Sequence, residues 1–463
     1  MPELGSFQTT KEQWEAAVGC RGRSVLTVVL ASSCTRPARP RAVILMIGDG
    51  MGVSQVSFAR YLRFGASDRH FSFEDLPELG LVTTWSTSNA VTDSGAASTA
   101  FSAGVKTDNR VVGLGPDGRP TRTLADLAQA KGWKVGYVTT TRITHATPAA
   151  FYAHHENRDG ECAIAEQLLV QRPDVVLGGG LTFFDPESPD CRSVRRAGRD
   201  LLAEARLAGY TVWQRYEAVP QPLPDRLLGL QARGHLAMQL DDRQIPAERR
   251  DPSLARLSEL ALEVLSRGER PFFLLIEGGR IDHGGHAFDA ASVAAEIDAF
   301  DEAVAAVLAF QRRNPETLVV VTADHATGGL AVNEFVDWAG IKRQRASVEW
   351  MTAQIRDAQP SLEDLASWTG PADWRAEELQ SVRAAAGSYA ARRALGQALA
   401  ERNGVTFVPR VDDAEAATHG HTGEDVAIYA GGPGSERFRG RLDNTDIARR
   451  LAEVASLGVL EQP

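Results

Sequence analysis

The sequence predicts an α/β fold with a mostly parallel central sheet and helices on both of its faces. From Arg41 onward, short apolar runs rich in β-branched residues alternate with stretches of helical character. Most of these runs are continuously apolar, as expected for strands that are covered on both faces. Strands that alternate with helices in this way form parallel sheets, because a crossover helix connects each pair of strands.

Seven segments are predicted as strands because each is short, apolar and bounded by turn-forming residues. In chain order they are Ala42–Ile47, Leu81–Trp85, Val135–Thr139, Val175–Leu177, Phe272–Ile276, Leu318–Thr322 and Val426–Ala430. Six longer segments between them are predicted as helices. In chain order they are Gln55–Phe64, Ala96–Ala103, Leu124–Lys131, Glu161–Gln171, Ser253–Ser266 and Ala287–Arg312.

Two stretches interrupt this alternation of predicted strands and helices. The first, from Val332 to Thr418, has helical segments, four tryptophans and no convincing buried strand. We expect it to be an insertion that forms a cap, a crown-like subdomain or an interface. The second, Val219–Pro252, is rich in Pro, Arg and Asp and is predicted as a looser excursion. The expected organisation is a leader over residues 1–40 and one domain over 41–463, with an insertion at about 332–418.

The charge balance limits the classes of partner. The chain has 463 residues with 50 Lys and Arg against 60 Asp and Glu, a net charge of −10. This argues against nucleic acid as a dedicated partner, since phosphate backbones require clustered positive charge. No apolar run approaches the roughly 20 residues of a membrane-spanning helix, so no transmembrane segment is predicted.

The first 40 residues have the order of an export signal. Arg21 and Arg23 precede an apolar run over Val25–Ala31, which small residues and Cys34 follow. The polar residues ahead of the run do not fit, unless the start codon is assigned too early and the true start lies near Val18. The alternative is a helical or disordered leader. We expect a periplasmic or secreted protein, and a lipid anchor at Cys34 is a weaker option because its context matches a lipoprotein signal poorly.

The cysteines do not indicate a metal site. None of the four forms a CxxC pair, which argues against a cysteine zinc site. Cys162 and Cys191 could form a disulfide in an oxidising compartment, or both could be buried thiols.

Histidines and acidic residues follow three of the predicted strands. Eight of the ten histidines fall in four clusters: His145, His154 and His155; His283 and His286; His325; His419 and His421. Asp49 follows the first strand; Glu277, Asp282 and His286 follow the fifth; Asp324 and His325 follow the sixth. Ligands of open α/β sheets bind at the carboxyl ends of the strands. Carboxylates and imidazoles gathered at that edge indicate a metal site.

Ser94 opens a helix of small residues, where free backbone N–H groups favour an anion. Taken alone, Asp93 or Ser94 would more often be an ordinary helix N-cap.

These elements together resemble the alkaline phosphatase family over about residues 41–440. The matching stretches are Ile47-Gly-Asp-Gly-Met-Gly52, Thr92-Asp-Ser-Gly-Ala-Ala97, His145-Ala-Thr-Pro148, Glu277 through His286, Thr322-Ala-Asp-His325 and His421-Thr-Gly423. The resemblance implies hydrolysis of phosphate monoesters through a phosphoserine, two zinc ions, one magnesium ion and a homodimer. A sulfatase would need a different motif at the nucleophile, whereas side activity on phosphodiesters remains open.

The resemblance also implies a role for each matching residue. Ser94 resembles the nucleophile and Arg158 the phosphate-binding arginine. Asp282, His286 and His421 resemble the ligands of one zinc, and Asp49, Asp324 and His325 those of the second. Asp49 would bridge to the third metal, which His145, Thr147 and Glu277 would complete. His283 would contact phosphate through water.

Several of these roles have simpler alternatives. Arg158 could be a surface arginine, and His419 competes with His421 as the ligand. Thr147 could cap the helix that Pro148 begins. His154 and His155 are expected to be structural, and Asp93 to open a helix or orient the arginine.

The residues at positions 145 and 283 vary within the resembling family, and both are histidine in this sequence. Since imidazole is a softer ligand than carboxylate, the third site could accept zinc or cobalt in place of magnesium. We expect weaker product binding and a higher pH optimum.

Overall fold

Short, largely buried strands form the centre of the protein. The computed structural model describes residues 39–192, 199–358, 361–370, 374–384, 389–408, 418 and 420–460. The strands, in chain order, are β1 Ala42–Gly48, β2 Glu78–Thr83, β3 Lys134–Arg142, β4 Val175–Gly179, β5 Thr211–Gln214, β6 Leu227–Leu230, β7 Phe272–Gly278, β8 Thr317–Ala323, β9 Ala326–Thr327, β10 His421–Thr422, β11 Val426–Gly431 and β12 Gly440–Asp443.

Ten of the described strands form one sheet in the order β12-β2-β11-β8-β1-β7-β3-β4-β6-β5. Neighbouring strands are parallel except where β11 runs antiparallel to both β8 and β2. Every residue of β1, β7 and β8 is buried, because helices cover both faces of the middle of the sheet. The fold is therefore the α/β, mostly parallel architecture that the sequence predicts.

The helices lie between the strands and in one long insertion. In chain order they are α1 Val53–Phe64, α2 Ser94–Ala103, α3 Leu124–Ala130, α4 Ala146–Ala149, α5 Glu161–Gln171, α6 Pro189–Arg192, α7 Leu201–Leu207, α8 Leu254–Leu265, α9 Arg280–His286, α10 Ala290–Arg313, α11 Trp338–Arg343, α12 Val348–Ala358, α13 Leu362–Thr369, α14 Ala376–Ala384, α15 Tyr389–Arg402 and α16 Asn444–Val454. None of these described helices combines the length and the apolar character needed to cross a membrane.

The stretch from Val332 to Thr418 contains helices α11 to α15. Helices α12 to α15 share a separate apolar cluster that includes Met351, Leu365 and Leu395. The buried carboxylate of Asp289 anchors this layer, because it accepts a hydrogen bond from the backbone N–H of Val348 at 2.7 Å. The layer thus has its own small core, and both polar and apolar contacts join it to the sheet domain.

Some local predictions need correction. The helix predicted over Ala287–Arg312 begins at Ala290, because the preceding turns form the separate helix α9. The looser excursion over Val219–Pro252 contains strand β6, and strands β5 and β12 were not predicted either. Each of these three strands has only four residues, too few for an apolar pattern to stand out. The leader, with Cys34, lies outside the described residues.

A disulfide joins Cys162 at the start of α5 to Cys191 in α6. The bond settles the alternative that the sequence left open for these two cysteines.

Glu296 on α10 is expected to make stability depend on pH. It is 5% exposed, and burial raises its pKa from 4.5 to about 7. As the pH rises, this carboxyl group therefore ionises in the unfolded chain before it ionises in the folded protein. The free energy of unfolding falls between pH 4.5 and 7 for this reason, and it stays lower above pH 7. The decrease is on the order of 3 kcal/mol, at about 1.4 kcal/mol per pKa unit. We expect Glu296→Gln to raise the free energy of unfolding at pH 8.5 and to change it little at pH 4.5.

Urea unfolding of the metal-loaded protein at both pH values would measure this effect. Glu302→Gln is the matched control, because Glu302 is exposed on the same helix. An equal change for Glu296→Gln at both pH values would contradict the prediction.

Candidate metal and phosphate site

The register of the central strands brings acidic residues from separate parts of the chain to one edge. Ile47 of β1 lies beside Glu277 of β7 and also beside Thr322 of β8. Asp49 and Asp324 each lie two residues beyond these paired positions. All three carboxylates therefore meet at the carboxyl ends of parallel strands, where ligands of such sheets bind.

Ser94 is the first residue of α2 and lies beside His325 and Arg158. The carboxylate of Asp93 caps this helix by accepting a hydrogen bond from the N–H of Ala96 at 3.0 Å. Ser94 is 1% exposed, and its Oγ lies 3.2 Å from Nε2 of His325 and 3.4 Å from the guanidinium of Arg158. A buried hydroxyl at a helix N-terminus, beside an arginine, is placed to meet a phosphate group.

Arg158 is held in place from two sides. One guanidinium nitrogen donates to Asp93 at 2.8 Å, and the other lies 3.0 Å from Nε2 of His145. Asp93 thus caps the helix and orients the arginine as well. The planar guanidinium can donate two parallel hydrogen bonds to phosphate oxygens, which lysine cannot do.

Asp282, His286 and His421 form a first cluster of metal-ligand type. Their ligand atoms all lie within 4.8 Å of one another. The Nδ1–H of His421 donates to the carbonyl of Thr92 at 2.9 Å, which turns the lone pair of Nε2 toward the cluster. Nε2 of His286 lies 3.2 Å from it. Two imidazole nitrogens this close to a carboxylate suit a shared cation.

Tyr389 of α15 supports this cluster from the helical layer. Its hydroxyl lies 3.2 Å from Nδ1 of His286 and 3.3 Å from the carbonyl of the same residue. A partner on the outer nitrogen fixes the orientation of a metal-binding imidazole.

Two further clusters share Asp49. Asp49, Asp324 and His325 form one, and Asp49, His145 and Glu277 form the other, each with ligand atoms within 4.8 Å of one another. Thr147 lies beside the latter, with its hydroxyl 3.4 Å from Asp49. The structure thus brings together every residue that the resemblance implies as a metal ligand.

Unpaired buried atoms in these clusters fit bound cations. Among the described residues, Oδ1 of Asp49, Oδ2 of Asp324, Oε1 of Glu277 and Nδ1 of His145 are buried without a hydrogen-bond partner. Burial raises the pKa of Asp49 well above its usual value, and the carboxylates of Asp324 and Asp282 raise it further. Burial also raises the pKa of Glu277 to about 7. Converging carboxylates of this kind are stabilised when cations neutralise them.

The site opens into a cavity of about 680 Å³. Beyond the residues already described, its lining includes Arg110, Arg142, His235, Arg280, His283, Glu349 and Arg392. His283 and His235 lie side by side, with ring centroids 4.4 Å apart. Both rings therefore belong to the same part of the cavity lining.

The sequence did not predict several of the residues that line this cavity. His235 comes from the excursion over Val219–Pro252, where a single histidine carries no spacing signal. Arg280 lies in the stretch from Glu277 to His286, but the sequence pattern does not indicate a role for it. Glu349 and Arg392 belong to the insertion. Only tertiary contacts bring them to the cavity, since Glu349 pairs with Arg280 and Arg392 pairs with Glu349.

The remaining histidines have other positions. Nδ1 of His154 lies 2.7 Å from the carbonyl of Gly113, a contact that ties two loops together. His155 contacts the loop as well, since its Nδ1 accepts from the N–H of Asn157 at 3.0 Å. His419 lies outside the described residues.

Comparisons with known proteins agree with this geometry. The family model described as alkaline phosphatase matches residues 40–457. Alkaline phosphatase 3 of Bacillus subtilis is 33% identical over 90% of this chain and 89% of its own length. The tissue-nonspecific alkaline phosphatase of Gallus gallus is 32% identical over 90% of this chain and 84% of its own.

Solved structures show the same fold. The Thermus thermophilus alkaline phosphatase superposes with a TM-score of 0.79 at 29% identity, covering 94% of this chain and 96% of that one. A cold-active alkaline phosphatase from a psychrophilic Shewanella superposes with a TM-score of 0.77 at 31% identity, covering 89% and 99%. The chain therefore belongs to the alkaline phosphatase family, and it is a phosphatase.

Proposed function

We propose that the protein hydrolyses phosphate monoesters to an alcohol and inorganic phosphate through a phosphoserine at Ser94. The observation that carries this proposal is the convergence of three metal-ligand clusters on one serine and one arginine. A phosphodiesterase or sulfatase role has no comparable support.

We assign the metals by cluster. Asp282, His286 and His421 would hold one zinc ion, and Asp49, Asp324 and His325 the second. Asp49, His145, Thr147 and Glu277 would hold the third metal, which we take to be magnesium, with zinc or cobalt as substitutes. Bound zinc supplies Lewis-acid charge, which neutralises the carboxylates and stabilises negative charge on phosphate oxygens.

The chain's own residues then bind and transfer the phosphoryl group. Arg158 would hold two phosphate oxygens while Asp93 keeps its guanidinium in place. Ser94 Oγ would form a bond to phosphorus as the bond to the alcohol oxygen breaks, and the alcohol leaves through the cavity. Water would then hydrolyse the phosphoserine, releasing phosphate and restoring Ser94. His283 would contact phosphate through water.

Hydrolysis of p-nitrophenyl phosphate from pH 6 to 11 tests the proposal. We expect alkaline activity that chelation abolishes and that zinc, then zinc with magnesium, restores. Lack of activity in protein shown to hold two zinc ions would overturn the monoesterase assignment, and phosphodiester and sulfate substrates would be tried next.

His145 is expected to weaken magnesium binding at the third site. Magnesium prefers carboxylate oxygen to imidazole nitrogen. Two variants of the Antarctic bacterium TAB5 alkaline phosphatase, with one histidine changed to aspartate or glutamate, are described with Mg bound in the M3 site. We expect His145→Asp to lower the magnesium concentration needed for half-maximal activity by about tenfold or more.

Magnesium titration of the zinc-loaded variant and wild type would measure this change, with pH profiles recorded alongside. His283→Lys is the companion variant, because His283 lines the same cavity and belongs to none of the metal clusters; its magnesium requirement should not change. An unchanged requirement in His145→Asp would contradict the assignment of the third site.

We further propose that the protein acts in the periplasm or outside the cell, as a homodimer, with the helical layer at 332–418 serving as a cap over the site. The disulfide between Cys162 and Cys191 supports an oxidising compartment. Light scattering of the purified protein would measure the oligomeric state.

A further inference from the structure

The cavity is much larger than the phosphoryl group. It measures about 680 Å³, whereas a phosphoryl group takes a few water volumes of roughly 30 Å³ each. Ser94 is buried and contacts Arg158, which lines the cavity. An in-line displacement sends the leaving alcohol away from the nucleophile. The alcohol portion of the substrate must therefore lie in the outer part of the cavity, against the residues that line it there.

The charges of that outer wall do not cancel. Arg110 pairs with Asp159, and Arg142 pairs with Glu161 through two of its nitrogens. Arg280 and Arg392, in contrast, share a single carboxylate, that of Glu349.

The shared carboxylate stays ionised. Burial raises the pKa of Glu349, but Arg280 and Arg392 outweigh burial and lower it to about 2. Two guanidiniums and one carboxylate therefore leave one excess positive charge at neutral and alkaline pH.

This excess charge is fixed in position. Arg280 is 1% exposed, and its guanidinium lies 2.6 Å from Glu349 and 2.5 Å from Nδ1 of His283. The side chain of Arg392 is 45% exposed and lies 3.1 Å from the other oxygen of Glu349. A clamp between the helical layer and the sheet domain explains the Arg280–Glu349 pair, but a clamp does not require a second arginine on the same carboxylate.

We infer that Arg392, held by the Glu349 carboxylate that also pairs with Arg280, forms a subsite for a second anionic group on the alcohol portion of the substrate. The preferred substrates are then phosphate monoesters whose leaving alcohol carries a carboxylate or another phosphate. A partly exposed guanidinium next to a fixed ion pair suits both groups, since each offers two oxygens to its N–H fork. This inference rests on the proposed monoesterase function.

Three butyl phosphates of equal chain length, ending in a carboxamide, a carboxylate or a phosphate, test the inference. We expect kcat/KM for the two anionic esters to exceed that for the carboxamide by about tenfold at low salt, and the advantage to shrink at high salt. Comparison of the carboxylate and phosphate arms shows which anion the subsite favours. Arg392→Gln should remove the advantage and leave the carboxamide ester unchanged, whereas Arg392→Lys should keep part of it.

Arg256→Gln is the matched control, because it removes the same charge from an exposed position on α8 outside the cavity lining. An equal kcat/KM for all three esters in the wild type would overturn the subsite, as would an equal loss on all three in Arg392→Gln. Absence of hydrolysis of the carboxamide ester and of p-nitrophenyl phosphate would instead overturn the proposed function, and the subsite with it.

Discussion

Replacing Ser94 by alanine is expected to lower kcat for p-nitrophenyl phosphate by at least about 10³-fold, as the loss of a nucleophile does in other covalent mechanisms. The only atom removed is Oγ, which lies 3.2 Å from His325 and 3.4 Å from Arg158. Because the substitution leaves the Asp, Glu and His residues of all three metal-ligand clusters in place, we expect the bound metal to remain. Steady-state kinetics together with metal analysis of the same preparation would measure both outcomes.

Ser98→Ala is the matched control for this variant. Ser98 is equally buried and lies one turn further along α2. This variant also removes a serine hydroxyl from α2, but not the proposed nucleophile. Its activity should therefore stay close to that of the wild type. If Ser94→Ala kept most of its activity with its metals bound, the result would contradict the phosphoserine route and would indicate direct attack by water.

Replacing Asp49 by asparagine should have an effect of similar size through the metals. Asp49 is fully buried and is the residue that the second and third clusters share. Its neutral replacement would remove a negatively charged ligand from both clusters. We expect the metal content to fall from three ions toward one per chain, and kcat to fall by about 10³-fold or more.

Equilibrium dialysis followed by elemental analysis would count the ions. Asp301→Asn is the control, because Asp301 is 5% exposed, accepts a hydrogen bond from the N–H of Ser72 at 2.6 Å and lies outside the clusters. It should lower stability without changing metal content. Retention of three ions by Asp49→Asn would contradict the shared role of Asp49.

Much of the fold follows from the sequence because burial dictates local composition. A strand such as β1 lies in the middle of a parallel sheet and must be apolar at every position, and this pattern is visible without a structure. Placing Asp49, Glu277 and Asp324 at one edge required only the rule that parallel strands end together. Strands β5, β6 and β12 escaped prediction because four residues carry too little pattern.

The residue pattern alone predicted the α/β class. It put carboxylates and histidines after the ends of strands and put Ser94 at the start of a helix. Long-range packing was needed to show that Cys162 bonds Cys191, that His235 lines the cavity, and that Glu349 of the helical layer pairs with both Arg280 and Arg392. The difference lies in the range of the interactions. Apolar periodicity reports which face of a single element is buried. The contacts above instead join residues about 30 to 70 positions apart, whose proximity depends on the whole packed chain.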